Sequence, residues 1–422
     1  MATTVGVIGL GYVGLPLAVA FAQAGCEVVA IDVDPRRVEA IAAGDSHIED
    51  VSSEQLQAVL QRIHASTRYA DLTGAEAVLV CVPTPLTANR EPDLGPLIDC
   101  SRELARVLAP GQLIVLESTT YPGTTRGRVA PLLEQSGLAA GSDFHLAFSP
   151  ERVDPGRTDF TLRTTPKVIG GLTGACADRA EELYRLVCEQ LVRVSTPEAA
   201  ELTKLLENIF RSVNIALVNE LAQLCERMGI DVWEVVGAAA TKPFGFMSFK
   251  PGPGLGGHCI PVDPFYLTWK AREYGFYTEF IELAGKVNEE MPYFCRSLVS
   301  QALNHHAQRA MKGSRILVLG VAYKPDIGDL RESPALKLIS LLQNAGADVS
   351  YHDPHVPRFA DDHFGLTMES VPLEPAKYDC VVVVTDHSSL DYEQLVDDAS
   401  LVVDLRNATG AKGAAAEHVF KL

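Results

Sequence analysis

The first 32 residues constrain the fold more than any other stretch. Val5-Gly6-Val7-Ile8 is an apolar run of strand type, and Gly9-Leu10-Gly11-Tyr12-Val13-Gly14 follows at once as G-x-G-x-x-G. Residues 15–24 carry a helical pattern, and residues 28–31 form a second apolar run ending at Asp32, 18 residues beyond Gly14. Strand, glycine turn, helix, strand and acid in that order specify a dinucleotide-binding βαβ unit. Gly9 permits the tight turn, Gly11 lets a pyrophosphate approach main chain, Gly14 lets the helix pack closely, and the helix N-terminus favours phosphate charge. Tyr12 and Val13 belong to the same cofactor turn. Asp32 is suited to accept hydrogen bonds from ribose hydroxyls and repels a 2′-phosphate, so NAD is expected over NADP. The first charged side chain is Glu27, but the stretch has no basic n-region and is broken by glycines and Pro16. A signal peptide or membrane span is therefore not expected.

Charge and cysteine usage narrow the class. A chain of 422 residues is long enough for two or three domains, and a net charge of −18 argues against a nucleic-acid or anionic-membrane partner. The nine cysteines are odd in number and include no CxxC pair, so neither a disulfide framework nor a metal site is expected. Cys26, Cys81, Cys100, Cys188, Cys225 and Cys380 lie in apolar or helical surroundings and read as small hydrophobes. A soluble cytoplasmic protein is the expectation.

The pattern predicts an α/β chain: two Rossmann-like doubly wound domains joined by a long central helix and a helical middle domain, with divisions at 1–194, 195–313 and 314–422. In the first part the runs 77–82, 113–118 and 146–149 look like parallel strands buried on both faces. Ligands of open α/β sheets bind beyond the carboxyl ends of the strands, which makes Thr84, Thr120 and Glu151 candidates; each threonine reads equally well as a cap or turn former. Ser195-Thr196-Pro197-Glu198 is a helix start, and no proline or glycine follows before Gly229, which predicts one unusually long helix. Lys204 and Asn208 share a face of it. Leu202, Leu205, Leu206 and Ile209 are expected to form its buried stripe, and residues 209–218 are apolar nearly all round, which predicts a buried helix. From Ser314 the chain again alternates strand and helix, without a second G-x-G-x-x-G.

A different kind of segment separates these parts. Residues 251–264 hold four glycines and four prolines, with Cys259 among them and Asp263 four residues on. Such backbone fits neither a helix nor a central strand and lets a ligand come close, so Cys259 is the candidate nucleophile. His258 beside it reads as a neighbour shaped by the loop, since adjacent side chains diverge.

Five motifs now coincide with one family. The fingerprint, Ser149-Pro150-Glu151-Arg152, the Lys204 and Asn208 helix, the Gly-Gly-x-Cys-x-Pro-x-Asp segment, and Ala322-Tyr323-Lys324 to Arg331-Glu332-Ser333 together resemble the nucleotide-sugar 6-dehydrogenases of the UDP-glucose/UDP-N-acetylmannosamine dehydrogenase type, over essentially the whole chain and in order. The resemblance implies four-electron oxidation of C6 of a UDP-sugar from alcohol to carboxylate with two NAD. Addition of the Cys259 thiolate to the aldehyde gives a thiohemiacetal, a second oxidation gives a thioester, and hydrolysis releases the acid. Lys204 and Asn208 are then suited to an oxyanion, with Lys204 alternatively the base of the first step. Asp263 and Glu151 would activate water or relay protons, with Thr120 positioning that water.

The resemblance also implies UDP-sugar contacts from Phe148, Ser149, Pro150, Glu151, Arg152, Lys204, Asn208, Phe249, Lys250, Pro251, Gly252, Pro253, Gly256 and Lys324. It implies NAD contacts from Asp32, Arg37, Thr84, Thr120 and Arg331, a UDP-binding C-terminal domain, and a homodimer or multiple of dimers. Residues 241–247 lack the arginine of the UDP-glucose enzymes, and Pro253-Gly254-Leu255-Gly256-Gly257-His258-Cys259 is most similar to the branch acting on 2-acetamido sugars. UDP-N-acetylglucosamine is the expected substrate, with the N-acetylmannosamine, N-acetylgalactosamine and glucose compounds as alternatives. A two-electron hydroxyacid dehydrogenase also joins a dinucleotide domain to a long helix bearing lysine and asparagine, but has no use for Cys259.

Overall fold

The computed structural model describes residues 3–87, 89–153, 159–257 and 260–422. His258, Cys259 and residues 154–158 lie outside the described residues. The chain forms two compact units, Met1–Glu207 with Phe265–Tyr277, and Asn208–Pro264 with Thr278–Leu422.

In the first unit the strands are β1 (Thr4–Ile8), β2 (Glu27–Ile31), β3 (Ile63–Ser66), β4 (Ala77–Val80), β5 (Leu113–Leu116), β6 (His145–Phe148), β7 (Lys167–Gly171) and β8 (Leu191–Val194), in the order β3-β2-β1-β4-β5-β6-β7-β8. β1 to β6 are parallel, whereas β7 runs antiparallel to β6. β4 and β5 are buried throughout, which is why they read as unbroken apolar runs. The order reverses at β1, between β2 and β4, and the glycine turn follows β1 directly. Such a switch point opens a crevice for ligands.

The second unit repeats the plan. β9 (Arg315–Leu319), β10 (Asp348–His352), β13 (Cys380–Val383), β14 (Val402–Asp404) and β15 (Val419–Lys421) form a parallel sheet in the order β10-β9-β13-β14-β15, and β11 (Arg358–Asp361) pairs with β12 (Leu366–Glu369) as an antiparallel ribbon. Its core joins Ala222 and Cys225 of the long helix to Met291, Cys295 and Val299 of the helix Glu279–His305 and to Ile316 and Val318 of β9. That packing fixes the central helices against the second sheet.

The long helix runs from Pro197 to Met228. The buried stripe is narrower than its apolar pattern suggested. Leu205 and Ile209 are buried, but Leu202 is 42% and Leu206 63% exposed, with Phe210 and Leu217 also at the surface. At 3.6 residues per turn these fall on a second apolar face that a single chain does not cover.

Candidate functional site

The turn after β1 has the shape of a phosphate cradle. Gly9 has φ +89°, and a side chain there would lie 2.6 Å from the Cys81 carbonyl oxygen; at Gly14 a Cβ would lie 1.8 Å from the Gly9 carbonyl oxygen. Both positions therefore need glycine for the turn to close on the neighbouring strand. At Gly11, by contrast, no protein atom lies within 4 Å of a Cβ position, so its main chain fronts open space. The helix Gly14–Gln23 starts beside it with no side-chain cap, which leaves an anion as the natural complement of its first turn. Tyr12 and Val13 are partly exposed on the same turn. Asp32, 3% exposed, accepts from Leu10 N at 2.8 Å and Asp34 N at 2.9 Å, and Arg37 approaches it at 3.4 Å. These features fit the pyrophosphate and ribose of a dinucleotide.

The second sheet has the corresponding turn and closes it. Gly320 has φ +79°, and Asp353, one residue after β10, accepts from Val321 N at 2.8 Å as Asp32 does from Leu10 N. Asp353 also accepts from Ala322 N, His355 N, Val356 N and His387 Nε2, so both of its oxygens are filled. Burial acts to raise its carboxyl, but the His387 hydrogen bond and the amides outweigh it and hold the group below the usual carboxylate range. No capacity is left for a ribose, and the dinucleotide role stays with the first sheet. Asp326, His355 and His387 lie close enough to share an ion. His387, however, accepts from Asp326 N at Nδ1 and meets Asp353 at Nε2, so neither ring nitrogen is spare.

At the carboxyl edge of the first sheet, Thr84 donates to the Thr119 carbonyl at 2.7 Å, and Tyr266 donates to the Thr84 carbonyl. Thr120 is fully buried with its hydroxyl unpartnered among the described residues, whereas Thr119 is partly exposed. Phe148, Ser149 and Pro150 are buried, and the Ser149 hydroxyl donates to the Val168 carbonyl. The half-buried Glu151 accepts from Arg152 N at 2.7 Å and Val153 N at 2.6 Å. Arg152 bridges to Glu207 at 2.7 Å and to the Pro166 carbonyl. Lys204 is 8% exposed.

Sequence reasoning missed the group behind Glu151. Lys167, at the start of β7, donates to Glu117 Oε2 at 2.7 Å and to the Pro150 carbonyl at 3.1 Å, and stands 3.9 Å from Glu151. Tyr184 donates to the other oxygen of Glu117. Burial pushes the Glu117 carboxyl up; the lysine is also raised, because the two carboxylates outweigh its own burial, so the ammonium keeps its proton. The available signal was a glutamate, Glu117, inside the otherwise uncharged run 113–118.

In the second unit, Asn208 donates to Asp263, which is 2% exposed and opens the helix Asp263–Arg272. The substrate-loop candidates 249–257 are fastened at several points. Phe249 meets Phe210 edge to face at 5.8 Å, and Gly252 N donates to the buried Asn219, which in turn donates to Asn288. Gly257 N donates to the Arg331 carbonyl, and a side chain on Gly256 would lie 2.5 Å from Tyr323 Cβ. The loop thus lies against the segment holding Lys324 and Arg331, with Arg331 paired to Asp329 at 2.5 Å. Lys250 is exposed, while Pro251 and Pro253 are buried. Arg406, also missed, occupies the space that a side chain at Gly252 would need.

All eight described cysteines are free. Burial pushes the Cys100 thiol up to about 12 and the Cys188 thiol up to about 11, which makes both poor nucleophiles. No described helix is long and apolar enough to cross a membrane.

Comparison with known proteins is decisive. Three domain models of the UDP-glucose/GDP-mannose dehydrogenase family match in order: the NAD binding domain over residues 3–188, the central domain over 198–290 and the UDP binding domain over 317–411. The chain belongs to this family. It is similar to UDP-N-acetyl-D-mannosamine dehydrogenase of Pyrococcus horikoshii (38% identity, covering 96% of this chain and 95% of the relative) and to UDP-N-acetyl-D-glucosamine 6-dehydrogenase of Pseudomonas aeruginosa (37%, covering 91% and 90%). A solved structure of the UDP-N-acetylmannosamine dehydrogenase from Pyrococcus horikoshii superposes with a TM-score of 0.90 at 35% identity, covering 99% of each chain. The protein is thus an NAD-dependent nucleotide-sugar dehydrogenase, and the cradle at Gly9, Gly11 and Gly14 fits the cofactor that its family uses.

Proposed function

We propose that this enzyme oxidises C6 of UDP-N-acetylglucosamine to the uronate in two successive oxidations, with the thiol of Cys259 holding the intermediate. The observation that carries the reading is the contact between Asn208 and Asp263. It joins two residues expected to serve one reaction, and Asp263 lies only four residues beyond Cys259 in sequence.

Bound NAD accepts the two electrons of each oxidation. The chain supplies the rest. Lys204 and Asn208, one helical turn apart, donate to the C6 oxygen as it gains charge. The Cys259 thiolate adds to the aldehyde and makes its carbon tetrahedral, so that the oxyanion formed can expel the hydrogen left on C6 with its electron pair, and the second oxidation yields a thioester. Water then attacks the thioester, with Asp263 and Glu151 taking up its proton, and the thiolate leaves. One alcohol, two NAD+ and one water give one carboxylate, two NADH and three protons. The loop 249–257, Lys324 and Arg406 of the second unit hold the uridine diphosphate, and Asp32, Arg37 and Thr84 hold NAD. Thr120, whose buried hydroxyl has no partner among the described residues, positions the attacking water, and its partly exposed neighbour Thr119 offers a second hydroxyl.

An acetamido sugar is favoured by the motif 253–259 and by the absence of arginine from residues 241–247. UDP-N-acetylmannosamine is the second reading, on the strength of the Pyrococcus relative. Steady-state rates on these two sugars, UDP-N-acetylgalactosamine and UDP-glucose decide among them; UDP-N-acetylglucosamine is expected to give the highest kcat/KM. A preference of about tenfold, one 1.4 kcal/mol step, for UDP-glucose contradicts the acetamido reading. The exposed apolar face of the long helix, Leu202, Leu206, Phe210 and Leu217, supports a homodimer.

A further inference from the structure

Lys167, Glu117 and Tyr184 have no part in the chemistry above. Replacing a buried ion pair by apolar groups is often neutral or stabilising, so stability alone does not account for this one. All three side chains are at most 3% exposed. An ammonium has three N–H donors. Glu117 and the Pro150 carbonyl take two, at 2.7 and 3.1 Å, and the Glu151 carboxylate at 3.9 Å is the third acceptor facing it. Glu117 is itself fixed from the far side by the Tyr184 hydroxyl. The lysine therefore bonds the main chain of the residue before Glu151 and faces its Oε2, while the amides of Arg152 and Val153 hold Oε1.

We propose that Lys167, anchored by Glu117 and Tyr184, is the positioning residue for Glu151: it fixes the turn through the Pro150 carbonyl and holds the Glu151 carboxylate in the orientation that proton transfer requires. This rests on the role given to Glu151 above. Lys167 touches no reacting atom. Its effect on turnover passes through Glu151, and it disappears when Glu151 no longer transfers protons.

A double-mutant comparison in the full-length enzyme tests this, with kcat and KM measured on the fastest of the four UDP-sugars and NAD binding and thermal melting as controls. The four proteins are wild type, Glu151→Gln, the paired variant Lys167→Met with Glu117→Gln, and all three substitutions together. The paired variant removes both charges at once, so no lone charge is left buried, and the glutamine still accepts from Tyr184. The expected result is a fall in kcat of about tenfold or more, in the range of lost acid–base assistance, with NAD affinity kept. In the Glu151→Gln background the same pair is expected to change kcat by less than about twofold, the mark of coupled rather than independent sites. Equal losses in both backgrounds overturn the proposal, as does a paired variant with wild-type kcat. If the paired variant melts below the assay temperature, Lys167→Arg carries the same comparison with the charge retained, and the same two outcomes decide. A slow Glu151→Gln enzyme with additive losses leaves the Glu151 role standing and removes only the positioning role. A Glu151→Gln enzyme at the wild-type rate removes both.

Discussion

The side-chain amide of Asn208 donates to the carboxylate of Asp263, 55 residues later in the chain. Asn208 lies one turn beyond Lys204 on the long helix, and Asp263 opens the helix after the cysteine loop. An amide nitrogen has two donors, and the contact with Asp263 uses one while orienting the other. Asn208→Ala is therefore expected to lower kcat by about a hundredfold or more, the usual cost of losing one oxyanion donor, with a smaller change in KM for the UDP-sugar. Rapid-quench and steady-state rates check this. An unchanged kcat would move Asn208 out of the chemistry.

The cradle glycines are expected to separate stability from binding. Gly14→Ala forces a Cβ to 1.8 Å from the Gly9 carbonyl oxygen, so it should lower the melting temperature, at a cost of about 1–3 kcal/mol for overpacking, and impair NAD binding with it. Gly11→Ala meets no protein atom within 4 Å. Its melting temperature should stay near the wild-type value while NAD affinity falls by about tenfold or more, a step of 1.4 kcal/mol. Calorimetry with and without NAD checks both.

Glu201 carries a pH dependence. It is fully buried and accepts from Gly123 N, Thr125 N and the Thr125 hydroxyl at 2.6 to 2.8 Å. Burial outweighs these bonds and pushes its carboxyl from 4.5 up to about 7. The folded state thus binds this proton more tightly than the unfolded chain does. Its stabilising contribution is complete below about pH 4.5 and is lost as pH rises to about 7. Wild type measured against Glu201→Gln should lose about 2–3 kcal/mol of relative stability between pH 5 and pH 8, from 1.36 kcal/mol per unit. Denaturant melts of the two proteins at both pH values test it, and a pH-independent difference refutes it.

Much of this was legible because periodicity and turn chemistry are local. The order of β1, glycine turn, helix and Asp32 follows from the residues alone, as does the span of the long helix from Pro197. What was hidden is long-range. Glu117, Lys167 and Tyr184 come from β5, β7 and a helix, and only the strand order of the sheet brings them to Glu151. Asn219 and Asn288 read as ordinary helix residues until the loop at Gly252 is laid against them. Leu202 and Leu206 were expected inside because apolar content marks a face as sticky without saying what covers it. The two turns with equivalent glycines, Gly9 and Gly320, differ in function because His387 fills Asp353, a residue 34 positions away in sequence.

Cys259 is the one thiol set among glycines and prolines. Cys259→Ala should abolish formation of the carboxylate while leaving NAD binding intact, because Gly9, Gly11, Gly14 and Asp32 of the cradle are unchanged. Product analysis by mass spectrometry alongside NAD titration checks this. Carboxylate formed at the wild-type rate would exclude a covalent route through this residue.

The number of NADH formed per UDP-sugar consumed tests the four-electron route most directly, in a single-turnover reaction with the sugar limiting and NAD in excess. Two NADH per sugar, with a carboxylate as the product, is the predicted result; one NADH, with an aldehyde or ketone as the product, would contradict it.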